Sequence, residues 1–220
     1  MRTRNGHLAL AAVLLLGGCA QQGAYHDYGV LVRQAFSNLF HRQRVTRAQA
    51  AAIPYASLGY SVGDGDERLL VLATDTDGKQ MWTSAEHVVL TLRAGRVVQT
   101  VGLPHDLAGV AAGQGQDLPP LAMALKAPYT SVRLMDFPDL SAYGVRVTCT
   151  TVSAGPQSVT VLGTAISTIR VDERCRSAKL DWSFTNSYWL DPQTGTPWQS
   201  RQAIHPRLDS LQIEIFRPPG

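Results

Sequence analysis

From Leu69 to Phe216 the chain is cut by turn chemistry into short apolar or alternating segments, and this punctuation reads as β structure. Leu69–Ala73 is a short apolar strand, and Asp75-Thr76-Asp77-Gly78 supplies a turn before Met81–Ser84. Val88–Leu92 and Val97–Val101 flank Arg93-Ala94-Gly95-Arg96 as a hairpin. The Gly- and Pro-rich stretch 102–120 reads as loop, and Leu121–Lys126 as a helical turn. Further strands are expected at 131–135, 144–152, 158–171, 179–185, 188–190, 197–202 and 211–216. Gly155-Pro156 and Asp191–Gly195 mark two more turns.

Helical pattern is confined to the region before this. Asp27 can cap a helix over 28–42, where Val32, Phe36, Leu39 and Phe40 recur at three- and four-residue spacing. Thr46-Arg47-Ala48-Gln49 has the form of a capping box, so a second short helix is expected to run to Ala52, where Pro54 stops it. About ten strands and two short helices predict an all-β domain. It is either an antiparallel sandwich or a partly open barrel, with the N-terminal helices packed on it. No linker composition separates two bodies, so 27–220 is read as one domain.

The first residues have a different character. Arg2 and Arg4 precede the apolar run Leu8–Leu16, which is too short to span a bilayer. Basic residues followed by such a run form a secretory signal peptide. Leu16-Gly17-Gly18-Cys19 resembles the bacterial lipobox, which implies cleavage before Cys19, acylation of that cysteine, and 19–26 as a tether. Several acyl chains on one residue give a stable anchor where one would not. Ala20 follows in place of the Asp that retains such proteins at the inner membrane, so the resemblance implies the outer membrane, facing the periplasm.

With Cys19 used by lipid, Cys149 and Cys175 remain in an oxidising compartment, and a disulfide between them is expected. A hairpin turning at Gly155-Pro156 would instead oppose Cys149 to a residue near Leu162. The bond then needs a bend or another strand order, because its Cα atoms must lie within about 7 Å.

Charge excludes one large class of function. Lys and Arg number 20 against 17 Asp and Glu, and losing Arg2 and Arg4 reduces the excess from +3 to +1. A nucleic-acid binder concentrates basic residues to neutralise phosphates. Here they are scattered, so no nucleic-acid partner is expected. No metal-ligand spacing or phosphate-cradling loop is singled out, and no cofactor or catalytic residue is assigned. His26, His41, His87, His105 and His205 stand apart, and the adjacent pairs Glu86-His87 and His105-Asp106 point opposite ways if on strands.

Trp182, Phe184, Tyr188, Trp189 and Trp198 crowd one region. Aromatics of a β domain mostly fill its core. An exposed set could stack on sugar rings or hold a protein. Tyr188 and Trp189 are consecutive and face opposite ways, so one of them is a candidate for the surface. Trp189, Tyr188 and Trp198 are the candidate glycan or partner residues.

Several ordered stretches resemble the YjbF/GfcB lipoproteins of group 4 capsule and exopolysaccharide systems. They are Ile53-Pro54-Tyr55-Ala56-Ser57-Leu58, Leu70-Val71-Leu72-Ala73, Trp82-Thr83-Ser84-Ala85, Gly95-Arg96-Val97-Val98 and Gly102-Leu103-Pro104-His105-Asp106-Leu107. The most specific is Trp182–Asp191, leading into Thr194-Gly195, Trp198-Gln199-Ser200, Gln202, Pro206 and Leu208. The resemblance covers about 46–217 and implies an outer-membrane lipoprotein of a polysaccharide operon. Its expected partners are a periplasmic protein and an outer-membrane β-barrel protein. The expected role is non-enzymatic help in assembling or exporting a surface polysaccharide, by binding such a partner or the glycan. The alternatives are a polysaccharide-modifying enzyme, which would need two facing carboxylates, and a general envelope carrier or assembly lipoprotein, which would need an apolar cavity or a free sheet edge.

Overall fold

Tight turns dictate the strand order. At Ala94-Gly95 both central residues have positive φ, 49° and 79°, the conformation that lets a two-residue turn follow the twist of its strands. Such hairpins follow one another through the computed structural model, which describes residues 42–113 and 117–219. A five-residue helix, α1 (Arg47–Ala51), precedes β1 (Ser57–Val62), β2 (Arg68–Thr76), β3 (Lys79–Thr83), β4 (Val89–Arg93) and β5 (Arg96–Val101). Then come β6 (Gly109–Ala112), β7 (Tyr129–Phe137), β8 (Ala142–Val161), β9 (Thr164–Ser177), β10 (Trp182–Leu190), β11 (Pro197–Gln202) and β12 (Leu211–Arg217).

All twelve strands form one sheet in the order β5-β4-β3-β2-β1-β12-β11-β10-β9-β8-β7-β6. Each strand pairs antiparallel with its chain neighbours except β5 with β6, and β1 pairs antiparallel with β12, for example Tyr60 with Ile213. The sheet therefore closes on itself except at one seam, between β5 and β6. There the Thr100 N–H donates to the Leu107 carbonyl at 2.8 Å. Asp106 organises the loop that crosses the seam, accepting from Thr100 Oγ1 and from the N–H groups of Gly102 and Leu103. Closure removes the exposed edges that a sandwich would leave.

The all-β expectation stands as a nearly closed barrel, with corrections. Among the described residues α1 is the one α-helix, not several packed helices; its Thr46 cap and Gln49 form the predicted box, and the expected helical turn is a 3-10 helix at Leu121–Leu125. The helix expected over 28–42, Cys19 and the tether lie outside the described residues. β1 and β6 fall in stretches not read as strands. In β1 the pattern Ser-Leu-Gly-Tyr-Ser-Val has only two strongly apolar positions ahead of its last residue.

The third correction sets the disulfide register. Gly155-Pro156 is not a turn but a bulge inside β8, with Gly155 at φ 92° and a register shift between Ser153 and Gly155. Proline lacks the N–H a ladder needs, and a bulge is where a strand tolerates it. The true turn is Leu162-Gly163, so Cys149 pairs directly with Cys175 and the two are joined.

Inward residues alternate with outward ones along each wall. Leu58, Leu70, Trp82, Leu90, Phe137, Val145, Val147 and Leu211 are fully buried and form the main core. A smaller cluster gathers Leu121, Val171, Tyr188 and Leu190.

Candidate functional site

The bulge in β8 throws the far half of the β8–β9 hairpin out of the barrel wall and back over its outer surface. Five hydrogen bonds hold this arm down. Trp189 Nε1 donates to Gln157 Oε1 at 3.0 Å, Gln199 Nε2 to the Thr160 carbonyl at 3.3 Å, and the Leu162 N–H to Glu214 Oε1 at 3.3 Å. Arg47 donates to the Leu162 carbonyl and to Thr164 Oγ1, both at 2.7 Å. Beside the arm lies a cleft of about 200 Å³ lined by Trp189, Gln199, Arg201, Gln212, Glu67 and Glu214, with Arg42 and Arg44 along it.

This cleft contains the neighbouring carboxylates that an enzyme reading asks for. Arg44 spans both, with Nε 3.5 Å from Glu67 and an Nη 2.9 Å from Glu214. Glu67 also accepts from the Val45 N–H at 2.8 Å. Burial, with the Glu67 charge, pushes the Glu214 carboxyl above its ordinary range, although Arg44 opposes this. A raised acid beside a second carboxylate has the ingredients of glycoside hydrolysis, but here one guanidinium bridges the two. The arrangement ties residues 42–45 to the barrel wall. Gly59 permits it: a Cβ there would stand 2.9 Å from Glu67 Oε1 and 2.5 Å from Phe216.

The three candidate aromatics do not converge. Trp189 is half-buried on the outer wall, with the Arg170 guanidinium 5.6 Å from its ring centre. Tyr188 faces inward and is fully buried, so it is withdrawn as a surface residue; strand alternation sends it to the opposite side from Trp189. Trp198 is half-buried, packs against the main core, and donates to Asp191 Oδ2 at 3.4 Å. Only Trp189 lies on the outer cleft.

Inside the barrel is a charged cluster that sequence reasoning missed. Glu173 is paired with Arg96 at 3.2 Å and Arg133 at 2.5 Å, all three buried. Arg96 also donates to the Pro119 carbonyl and to Tyr129 Oη, each at 2.9 Å, and Asn186 Nδ2 donates to Glu173 at 3.1 Å. Burial alone would raise the Glu173 pKa, but the charges of Arg133 and Arg96 overcome it and hold the carboxyl below its ordinary range. Arg133 reaches both sulfurs of the disulfide as well.

A third cluster closes one end of the barrel. His105 Nδ1 lies 2.8 Å from Asp139 Oδ2 and His205 Nε2 lies 3.0 Å from Asp139 Oδ1, with the imidazoles stacked 4.9 Å apart. It joins the β5–β6, β7–β8 and β11–β12 connections. The three ligand-type atoms are close enough for a metal. His205 Nδ1, however, accepts the Arg207 N–H at 3.1 Å. A metal on Nε2 would need that nitrogen protonated, so the donor set fits a hydrogen-bonded clamp and not a metal centre. His105 thus finds its partner 34 residues away in Asp139, while the adjacent Asp106 turns to the seam.

The expectation that the chain holds no Gly-x-Ser-x-Gly motif is wrong: Gly59-Tyr60-Ser61-Val62-Gly63 has the spacing of a nucleophile elbow. Its context is wrong. The serine lies within the run of β1, no helix follows, and buried Ser61 accepts a hydrogen bond from Arg42.

Residues 32–216 match the family described as "Group 4 capsule polysaccharide lipoprotein gfcB, YjbF". The chain belongs to that family. The uncharacterized lipoprotein GfcB of Escherichia coli (strain K12) is 25% identical over 208 residues, covering 93% of this chain and 94% of the relative. The crystal structure of the hypothetical lipoprotein YmcC from Escherichia coli (K12) shares the fold, with TM-score 0.66 and 24% identity. That comparison covers 86% of this chain and 97% of YmcC.

In this YjbF-family barrel several motif residues serve the interior and the turns. Within Trp182–Asp191, Asn186 and Tyr188 surround Glu173, and Asp191 binds the Gln193 and Thr194 N–H groups to shape the β10–β11 turn. Gln202 accepts from the Val97 N–H and donates to the Gly95 carbonyl, joining β11 to the β4–β5 hairpin. The stretch from Gly102 to Leu107 is the seam loop.

Proposed function

We propose that this protein is a non-enzymatic lipoprotein, anchored through Cys19 in the outer membrane and facing the periplasm, that assists assembly or export of a surface polysaccharide. It acts by holding the glycan or an outer-membrane or periplasmic partner protein of the secretion system. The observation that carries the reading is membership of a capsule-polysaccharide lipoprotein family over nearly the whole chain. The internal ion cluster, the disulfide and the closed sheet favour a rigid binding body. Lipid attachment raises the effective concentration of such a body against membrane partners without any new contact. The outer cleft beside Trp189 is the contact region we assign, because it joins an aromatic ring to amide, guanidinium and carboxylate groups.

Two measurements test this. Cells fed labelled palmitate should yield labelled protein, and Cys19→Ala should abolish the label. Deleting the gene in a strain that expresses the locus should reduce surface polysaccharide. A normal polysaccharide coat would refute the accessory role.

A further inference from the structure

The register of β7–β10 places three arginines together on the outer face of the barrel. Along β9 the buried residues Val171, Glu173 and Cys175 alternate with Asp172, Arg174 and Arg176, so Arg174 and Arg176 share the outer face, about 6.7 Å apart. Arg176 stands opposite Thr148 of β8, which puts Arg146 at the diagonal position, about 7–8 Å away. All three arginines are exposed, and none forms an ion pair among the described residues. Of the acidic groups nearby, Asp172 is paired with Arg170 at 2.8 Å, Asp136 accepts the Gly144 N–H at 2.7 Å, and exposed Asp181 sits in the β9–β10 turn, two residues before Ser183.

Hydroxyls stand on both sides of Arg174 and of Arg176 in their ladder rows, while Arg146 stands beside Leu134 of β7. One ladder row across the wall runs Thr130, Thr150, Arg174, Thr185, and the next runs Val132, Thr148, Arg176, Ser183. Thr130, Thr148, Thr150, Ser183 and Thr185 are all exposed. Neighbouring like charges on a sheet repel, so an unneutralised group of three is held at a cost that an anion would remove. Guanidinium binds carboxylate through two parallel hydrogen bonds, and the surrounding hydroxyls can donate to or accept from sugar hydroxyls. Tyr143, 60% exposed at the end of β8, offers a ring at the edge of the same wall.

We infer that this face binds an acidic polysaccharide, a glycan whose repeat carries carboxylates, through Arg146, Arg174 and Arg176. The inference rests on the capsule reading and names the chemical class of the glycan. The face lies on strands β7–β10, along the same wall as Trp189 of β10 but separated from it by the Asp172–Ser187 row.

The test uses the full-length lipidated protein in nonionic detergent. Alginate, a polyuronate, should bind at low salt and weaken as salt rises. Dextran, which is neutral, should not bind. R146Q/R174Q/R176Q should weaken alginate binding about tenfold, while R146K/R174K/R176K should retain more than the Gln variant. The melting temperature of each variant should match the wild type, since the side chains are exposed. Unchanged alginate binding by the Gln variant, equal retention of dextran, or arginine-dependent capture by phosphatidylglycerol vesicles in place of alginate would overturn the inference. A cellular arm separates it from the broader reading. If the Gln variant fully restores surface polysaccharide to a deletion strain, the arginine face is refuted and the accessory role survives. If the deletion itself has no effect, both fall.

Discussion

Cys149 and Cys175 stand directly opposite each other in the β8–β9 ladder and are bonded across it. The turn at Leu162-Gly163 fixes that pairing, and the bulge at Gly155 adjusts it by one residue. The bond closes a loop with a sequence separation of 26. Replacing both cysteines by serine should destabilise the protein by about 3 kcal/mol, chiefly by freeing the unfolded chain. Urea unfolding checks this, and non-reducing peptide mapping should find Cys149 and Cys175 in one linked fragment.

Glu173→Gln should be among the most damaging single substitutions. It leaves Arg96 and Arg133 buried without a counter-charge, a loss of about 3–5 kcal/mol. The wild-type cluster also predicts an acid dependence. Glu173 has a folded pKa below its ordinary value of 4.5. Its stabilisation is fully present above that value and is lost as pH falls through the lower folded pKa. Urea midpoints measured from neutral pH into the acid range should show this decline in the wild type and a smaller one in the Gln variant.

His205 behaves differently because it is a base. Burial lowers its pKa below the ordinary 6.5, while Asp139 opposes that shift. The folded state therefore binds its proton less readily than the unfolded chain. Its contribution is complete above pH 6.5 and declines as pH falls toward the depressed folded value, then levels. Protonation would place a proton on Nδ1, where the Arg207 N–H now points. NMR titration should give His205 a midpoint below 6.5. Asp139 should stay ionised throughout, since the hydrogen bonds from His105 and His205 outweigh burial and lower its pKa.

Adjacent aromatics should respond oppositely to truncation. Tyr188→Ala opens a hole beside Glu173 and Gln202 and should cost about 3–5 kcal/mol. Trp189→Ala removes one hydrogen bond and a partly exposed cation–π contact, about 1 kcal/mol or less. Thermal unfolding of the two variants checks the ranking. If Trp189 contacts glycan or partner, its variant should fold normally and bind less.

The short strands, their turns and the β-rich class were legible because each is local. Asp77-Gly78 and Ala94-Gly95 announce hairpins within four residues, and Thr46 with Gln49 announces the start of α1. The family was legible too, because its motifs lie in order along the chain. The disulfide was only half legible: cysteine content suggested the bond, while a proline taken for a turn misplaced its register.

The remaining features belong to closure. Arg96, Arg133 and Glu173 look like ordinary surface charges in sequence, and they become an internal cluster because the sheet curls until their inward positions meet. Asp139 joins His105 to His205 across intervals of 34 and 66 residues. Arg44 reaches Glu214 across 170. No periodicity encodes such distances, since a strand's alternation says that a side chain faces inward but not what it will face. The sequence alone determined a β-rich chain and its kinship. Only the tertiary structure decided which charges are neutralised inside and which exposed arginines form no ion pair among the described residues, because that depends on strand register around a nearly closed sheet.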